Sequence, residues 1–323
     1  CYYNSIPSFK MTDITLPTLS VIVPTYNERD RLADAIKSLS QQKYPIDLVE
    51  ILVIEDGSPE PINEKSLIQY AIPFKLLLFR NSTNQGRARS RNTGLQNASG
   101  EIIIFLDSDM TVPSDFFSSH AKIHREKHDS IGIGNIVWAE EIPDNPLTRY
   151  ASSRGVHQIN TPDQVPFKCF VTGNSSVPKV LLDRTGPFDE DFKTYGGEDL
   201  ELGVRLHLRG ARFFYVSEAL SYHHHSRPLK LFCQLMYDYG FSSLPILLEK
   251  QPILKGLLRL DFVDGKKLTI KKTLYHVTLL RPVYWTILFV TRLGMHCYVP
   301  DLFFDYLIWY NRTRGYLKSL TKK

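Results

Sequence analysis

At 323 residues the chain is about twice the length of an ordinary domain, so it carries either one large α/β domain with an appendage or two domains. Its 43% hydrophobic, 23% charged and 12% aromatic residues are the composition of a globular chain and exclude a disordered or collagen-like polymer. Thirty-nine basic against 34 acidic residues leave a net charge of +5, which permits contact with phosphates or anionic lipid and demands neither.

The chain opens on Cys1 rather than Met and reads as a fragment or processed form, with 1–18 as an N-terminal segment. Ser20 to Val23, Val49 to Ile54, Lys75 to Phe79 and Glu101 to Leu106 are short apolar runs expected as strands. Between them Arg29 to Gln42, Ile62 to Tyr70 and Gly86 to Asn97 are expected as helices. Strands apolar at nearly every position are buried on both faces, and intervening helices make parallel crossovers, which predicts a doubly wound, mostly parallel α/β sheet. Ligands of such sheets sit beyond the carboxyl ends of the strands, and here those ends carry Pro24 to Glu28, Glu55 to Ser58, Arg80 to Asn84 and Asp107 to Asp109. Neither GxGxxG nor GxxxxGK[ST] is present, so a different nucleotide site is implied.

From 130 to 227 further strands are expected at Ile131 to Val137, Lys168 to Thr172 and Arg212 to Val216, with a helix from Glu198 to Arg209. The chain therefore divides into a sheet domain, 19–227, made of a nucleotide-binding half, 19–109, and an acceptor half, 110–227, followed by a helical extension, 228–323. In the extension, Leu229 to Glu249 and Thr273 to Leu320 read as helical, aromatic and basic. Its longest charge-free apolar stretch, Pro282 to Thr291, is too short for the ~20 residues of a membrane span. Trp285, Phe289, Tyr298, Phe303, Phe304, Tyr306, Trp309 and Tyr310, with Lys271, Lys272, Arg281, Arg292, Arg312, Arg314, Lys318, Lys322 and Lys323, suit either an in-plane membrane anchor or helices packed on the sheet domain. The four cysteines, Cys1, Cys169, Cys233 and Cys297, form no CxxC pair, which argues against a zinc cage or disulfide framework and for a reducing compartment. The expected location is cytoplasmic, at the inner face of a membrane where the extension touches it.

Several segments carry chemistry. Asp107 and Asp109 flank Ser108 after a buried strand, where a turn lets both carboxylates meet one hard cation; a solvated loop carries the same residues. Asp56, before Gly57 and Ser58, is placed to accept from a ligand N–H or to close an Asx turn. NQGRARSRNTG, Asn84 to Gly94, brings glycines and arginines to a helix start suited to anions, or forms a basic helical face. YGGEDLELGVRL, Tyr195 to Leu206, sets Glu198 and Asp199 after two glycines at a helix N-terminus, where the dipole favours acids and the loop can move. His223, His224 and His225 follow a strand-like run and can add a metal ligand or form a solvated loop.

VIVPTYNE, EDGS, NQGRARSRNTG, DSD, TGNSS, FDE and GGEDLELGVRL, in this order from Leu19 to Arg227, resemble the family 2 glycosyltransferases. The resemblance implies a GT-A fold and inverting transfer from a UDP-sugar to a glycan, glycolipid or protein acceptor, with Mn²⁺ or Mg²⁺ as cofactor and no nucleic acid partner. Pro24, Thr25, Tyr26 and Glu28 would border the nucleoside, Asp56 the uracil edge, and Asn84, Gly86 and Arg91 the base and diphosphate. Asp107 and Ser108 would lie by the ribose. Asp109 would hold the metal with Asp107 and a histidine, His223 or His225. Asp199 would be the catalytic base, with Glu198 shaping the acceptor pocket. Glu55 stands where the family often has Asp, and Ser90 where it often has Ala. A catalytically silent nucleotide-sugar-binding or assembly subunit is the rival reading, and DSD, GGED and a following histidine together speak against it. A nucleotidyltransferase would carry a glycine-rich basic loop where PTYNE stands.

Overall fold

A computed structural model describes residues 15–63, 65, 67, 73–159, 164–260 and 276–321. Most of the expected helix from Ile62 to Tyr70, and Cys1, Lys271, Lys272, Lys322 and Lys323, lie outside the described residues. Among the described residues nine strands make one sheet: β1 Leu19–Thr25, β2 Val49–Glu55, β3 Lys75–Arg80, β4 Ile102–Leu106, β5 Met110–Thr111, β6 Ser130–Trp138, β7 Gln164–Val165, β8 Asn174–Pro178 and β9 Arg212–His223. The order is β3-β2-β1-β4-β8-β6-β9-β5, with β7 also on β9. β1, β2, β3, β4, β6 and β9 run one way, while β8, β5 and β7 run against them.

The period of two in the strands sorts the core onto the two faces. Val21, Val23, Ile51, Val53, Ile104 and Leu106 point to one side, against Leu32, Ile36 and Leu39 of α1 (Arg29–Ser40) and Phe116 and Phe117 of a later helix. Ile22, Leu52, Ile54, Ile103 and Phe105 point to the other, where Leu202 and Leu206 meet them. Glu50 breaks the apolar run of β2, and its carboxylate is buried. Burial pushes its pKa up, but bonds from Ser20 Oγ, Ser99 N, Ser99 Oγ and Lys75 Nζ outweigh that and hold it low.

Two expectations need correction. Lys168 to Thr172 is no strand: Phe167–Cys169 forms a 3₁₀ turn that buries Cys169 and Phe170, and the strand is β8. β8 escapes a hydrophobic reading because Asn174, Ser175 and Ser176 are fully buried. Asn174 donates to Ala219 O and Ser221 Oγ, and His120 bonds both Asn174 Oδ1 and Ser176 Oγ. β9 does not end near Val216 but continues to His223, past a register shift beside Gly134 and Asn135 that inserts extra residues.

The helices after the sheet pack on the sheet domain through clusters of their own, separate from the core on the two sheet faces. Phe192, Val204, Leu244, Leu247 and Tyr316 form one cluster, and Leu147, Tyr150, Leu229, Phe304 and Leu307 another. A π-helical turn, Tyr239–Ser243, crosses the last helix (Asp301–Leu320) by backbone contact: a Cβ on Gly240 would lie 2.0 Å from Arg312 O, and one on Gly315 2.1 Å from Tyr237 O. Among the described residues no helix is long and apolar enough to cross a membrane.

Candidate active site

The carboxyl ends of β1, β2 and β4 open into a cleft of about 390 Å³. Pro24, Thr25, Tyr26 and Glu28 line it from the end of β1, and Asp56 from the end of β2. Asn84 and Gly86 come from the loop before α2 (Arg87–Asn97), and Asp107, Ser108 and Asp109 from the end of β4. Every residue expected beside the nucleotide lines this cleft except Arg91.

Asp56 shapes the cleft wall. Its Oδ1 accepts from Asn81 Nδ2 at 2.7 Å and Gln85 N at 2.9 Å, and its Oδ2 from Gly86 N at 2.9 Å, so one carboxylate folds the 81–86 loop against the strand end. The Asx-type role and the cleft position therefore coexist. Gly57, at φ +70°, permits the loop's approach, since a Cβ there would sit 2.4 Å from the Thr83 carbonyl carbon. Glu55 is wholly buried, ion-paired to Arg80 at 3.4 Å, and faces away from the cleft lining.

Arg91 departs from its expected place by the diphosphate: it is 1% exposed and lies beneath the cleft. Its Nη1 reaches Glu198 Oε1 at 3.1 Å and Asp199 Oδ1 at 3.8 Å, and its Nη2 reaches Asp107 Oδ1 at 3.2 Å. Burial disfavours the cation, but Asp199, Asp107 and Glu198 outweigh it and hold the guanidinium charged. Phe188 of the FDE segment lies under the guanidinium at 5.7 Å. Asn92 pins that segment by exchanging bonds with the Phe188 N–H and carbonyl and donating to Glu190.

Asp199 and Glu198 open α6 (Glu198–Leu208) after Gly196 and Gly197, both at positive φ. Thr172 donates its N–H and Oγ1 to the two oxygens of Asp199, at 3.2 and 2.8 Å, which fixes the carboxylate while a quarter of its surface stays open. Glu198 is buried against Arg91, not set in an acceptor pocket as expected, because α6 begins with its first side chain facing the sheet. Burial pushes its carboxyl pKa up and Asp199 adds to this, against Arg91.

Asp109 and His223 meet because β5 pairs antiparallel with β9, with Met110 opposite His223. Asp109 Oδ2 lies 3.2 Å from His223 Nε2, and Trp138 stacks on the His223 ring at 5.1 Å. Burial pushes the Asp109 carboxyl up, but His223, His225 and Arg227 hold it below the usual carboxylate range. His224 turns away to Glu141 and to Thr111 Oγ1. His225 reaches Asp109 only through charge, and burial first, then Arg227 and Arg31, lower its pKa. Among the described residues no three His, Cys, Asp or Glu side chains converge on one metal position. One carboxylate and one imidazole in contact do fit a divalent ion whose other ligands are phosphate oxygens and water. Asp107 has one oxygen committed to Arg91.

Arg87, Lys193, Thr194, Tyr195 and Arg227 also line the cleft. Tyr195 has Arg87 and Arg227 at 5.5 and 5.9 Å from its ring centre. Of these cations the sequence pattern marks only Arg87, through the Asn84 to Gly94 segment. Arg87 was within reach as the first residue of a helix whose start was expected to bind anions, whereas Lys193 and Arg227 arrive on loops that only the tertiary fold brings there.

The profile of Glycosyl transferase family 2 matches residues 20–178, and that of Glycosyl transferase family group 2 matches residues 102–311. An uncharacterized glycosyltransferase of Bacillus subtilis, YfnE, is 28% identical over 253 residues, covering 63% of this chain and 64% of that protein. Validoxylamine A glucosyltransferase of Streptomyces hygroscopicus is 26% identical over 60% of this chain and 52% of its own length. The chain thus spans less than two thirds of these relatives. A mannosyltransferase of Pyrobaculum calidifontis, solved with GDP-Man and Mn²⁺, superposes with a TM-score of 0.60 at 17% identity, over 96% of this chain and 88% of that one. TarS 1–349 of S. aureus, solved with UDP-GlcNAc, does so with 0.57 at 18% identity, over 93% and 92%.

Proposed function

This chain belongs to glycosyltransferase family 2 with a GT-A fold, and from that membership we propose that it moves a sugar, with inversion, from a UDP-sugar to an acceptor hydroxyl in polysaccharide or glycoconjugate synthesis. The observation that carries the reading is the single cleft in which Asp56, Asp107 and Asp109 face Arg87, Lys193 and Arg227 at the strand ends. Cations and carboxylates in that arrangement suit a nucleoside with a diphosphate tail. Relatives named as hyaluronan and chondroitin synthases support a glycan acceptor.

In the proposed reaction Asp199 takes the proton of the acceptor hydroxyl as that oxygen bonds to the anomeric carbon, and the bond from that carbon to the β-phosphate oxygen breaks. Thr172 and Arg91 hold the Asp199 carboxylate in place. Negative charge grows on the departing diphosphate, and Arg87, Lys193 and Arg227 stabilise it from the cleft wall. A divalent ion, which would be held by Asp109 and His223, supplies further neutralisation of that charge when bound; two solved structures of the same fold contain Mn²⁺. Glu198 positions Arg91 from behind.

The test is release of UDP from a panel of UDP-sugars with glycan acceptors. Wild-type turnover is expected for one donor, with a fall of about 10²-fold or more in Asp199→Asn. Full activity in that variant would remove Asp199 from the base role.

A further inference from the structure

The helix Arg281–Gly294 is apolar on its outward side as well as on the side that faces the bundle. Tyr284, Ile287 and Leu288 pack on the bundle, where Tyr284 stacks on Tyr310 at 4.2 Å. The opposite side bears Trp285, Phe289 and Leu293, exposed by 58, 62 and 62%, together with Val290. At about 100° per residue these four span roughly 140° of arc. Arg281 and Arg292, both exposed, fall within about 20° of one another at the Trp285 edge of that arc, about 16 Å apart along the axis. No Asp or Glu occurs from His276 to Pro300. Neither arginine is in an ion pair among the described residues.

We propose that this face lies in the plane of a bilayer surface bearing anionic phospholipid headgroups, with Trp285, Phe289 and Leu293 in the acyl boundary and Arg281 and Arg292 on the headgroups. An apolar arc with cations along one rim is the arrangement such a surface binds, because the aliphatic stems reach along the apolar side while the guanidiniums stay among phosphates. An aromatic ring beside the cations suits the same boundary. A second copy of the chain is the poorer occupant, since a twofold contact through a carboxylate-free face brings like charges together. The structure narrows the aromatic set read from sequence: Phe304 and Tyr310 are buried in the bundle and take no part.

The experiment is flotation of the full chain with vesicles of phosphatidylcholine alone or mixed with phosphatidylglycerol. Binding to the anionic vesicles is expected. It should weaken at least tenfold in Trp285→Ser with Phe289→Ser, and fall to the level of neutral vesicles in Arg281→Gln with Arg292→Gln. All four side chains are exposed, so circular dichroism and the melting temperature should match wild type. Quenching of tryptophan emission by brominated lipid in the unsubstituted chain, lost in Trp285→Phe, reads the same contact without relying on the paired variants. Wild-type protein that stays unbound, or variants that bind as wild type does, would overturn the proposal. So would a wild-type dimer, free of vesicles, that the Trp285/Phe289 variant dissociates.

Discussion

Arg91 ties three carboxylates from two parts of the chain to one guanidinium: Asp107 at the end of β4, and Glu198 and Asp199 at the start of α6. Because the group is buried, removing it leaves Glu198 charged and unpaired or forces it to take a proton. Arg91→Met should therefore destabilise the fold by about 3–5 kcal/mol, read as a shift in the urea midpoint. Thr172→Val tests the other hold on Asp199. The side chain keeps its volume while its Oγ1 bond is lost, so turnover should drop about tenfold or more with the donor's apparent affinity unchanged. An equal loss in affinity would mean that Thr172 serves the donor instead. At this scale the sequence made Asp56, Asp107, Asp109 and Asp199 legible, because acids at strand ends and helix starts announce themselves by position. It could not place Arg91 under the cleft, since whether an arginine on α2 faces the cleft or the sheet depends on helix rotation, and buried Glu198 with part-buried Asp107 and Asp199 decides that here.

The elements differ in how openly they declare themselves. β4 is apolar throughout and β1 and β2 are largely so, and the expected bounds differ from the observed ones by at most two residues. β8 is hidden because most of its buried positions are Asn and Ser, of which Asn174 and Ser176 find partners in His120, His124, Ser221 and the Ala219 carbonyl from other elements. The length of β9 is equally nonlocal: it continues because β5 and β6 pair with its far end, and this continuation is what brings His223 to Asp109. The crossing of the π-helical turn over the last helix makes a prediction of its own. Gly315→Ala places a methyl group against the Tyr237 carbonyl and should cost about 1–3 kcal/mol by overpacking, although alanine is the better helix former. A variant as stable as wild type in urea would show that the two segments can separate without loss.

Across the whole molecule, stability should weaken on mild acidification. Burial pushes His120 down to about 4 and His124 to about 3, below the ordinary 6.5. Between those values the unfolded chain binds protons that the folded chain does not, so stability is full above pH 6.5 and falls as pH drops toward 4. For His120 the loss is on the order of 3 kcal/mol. His120→Gln should flatten the fall in urea midpoint over that window, and an unchanged slope would assign it to other groups. The extension packs on α6 through Phe192, Val204, Leu244 and Leu247, so the start of α6 that carries Asp199 is braced from both sides. The proposed activity requires the cleft to be a nucleotide-sugar site that uses Asp109. The most direct measurement is the melting temperature of the chain with a panel of UDP-sugars, with and without Mn²⁺, in wild type and in Asp109→Ala. A metal-dependent rise of a few degrees for one UDP-sugar, absent in the variant, is the predicted result; no rise with any UDP-sugar, or one that Asp109→Ala retains in full, would contradict it.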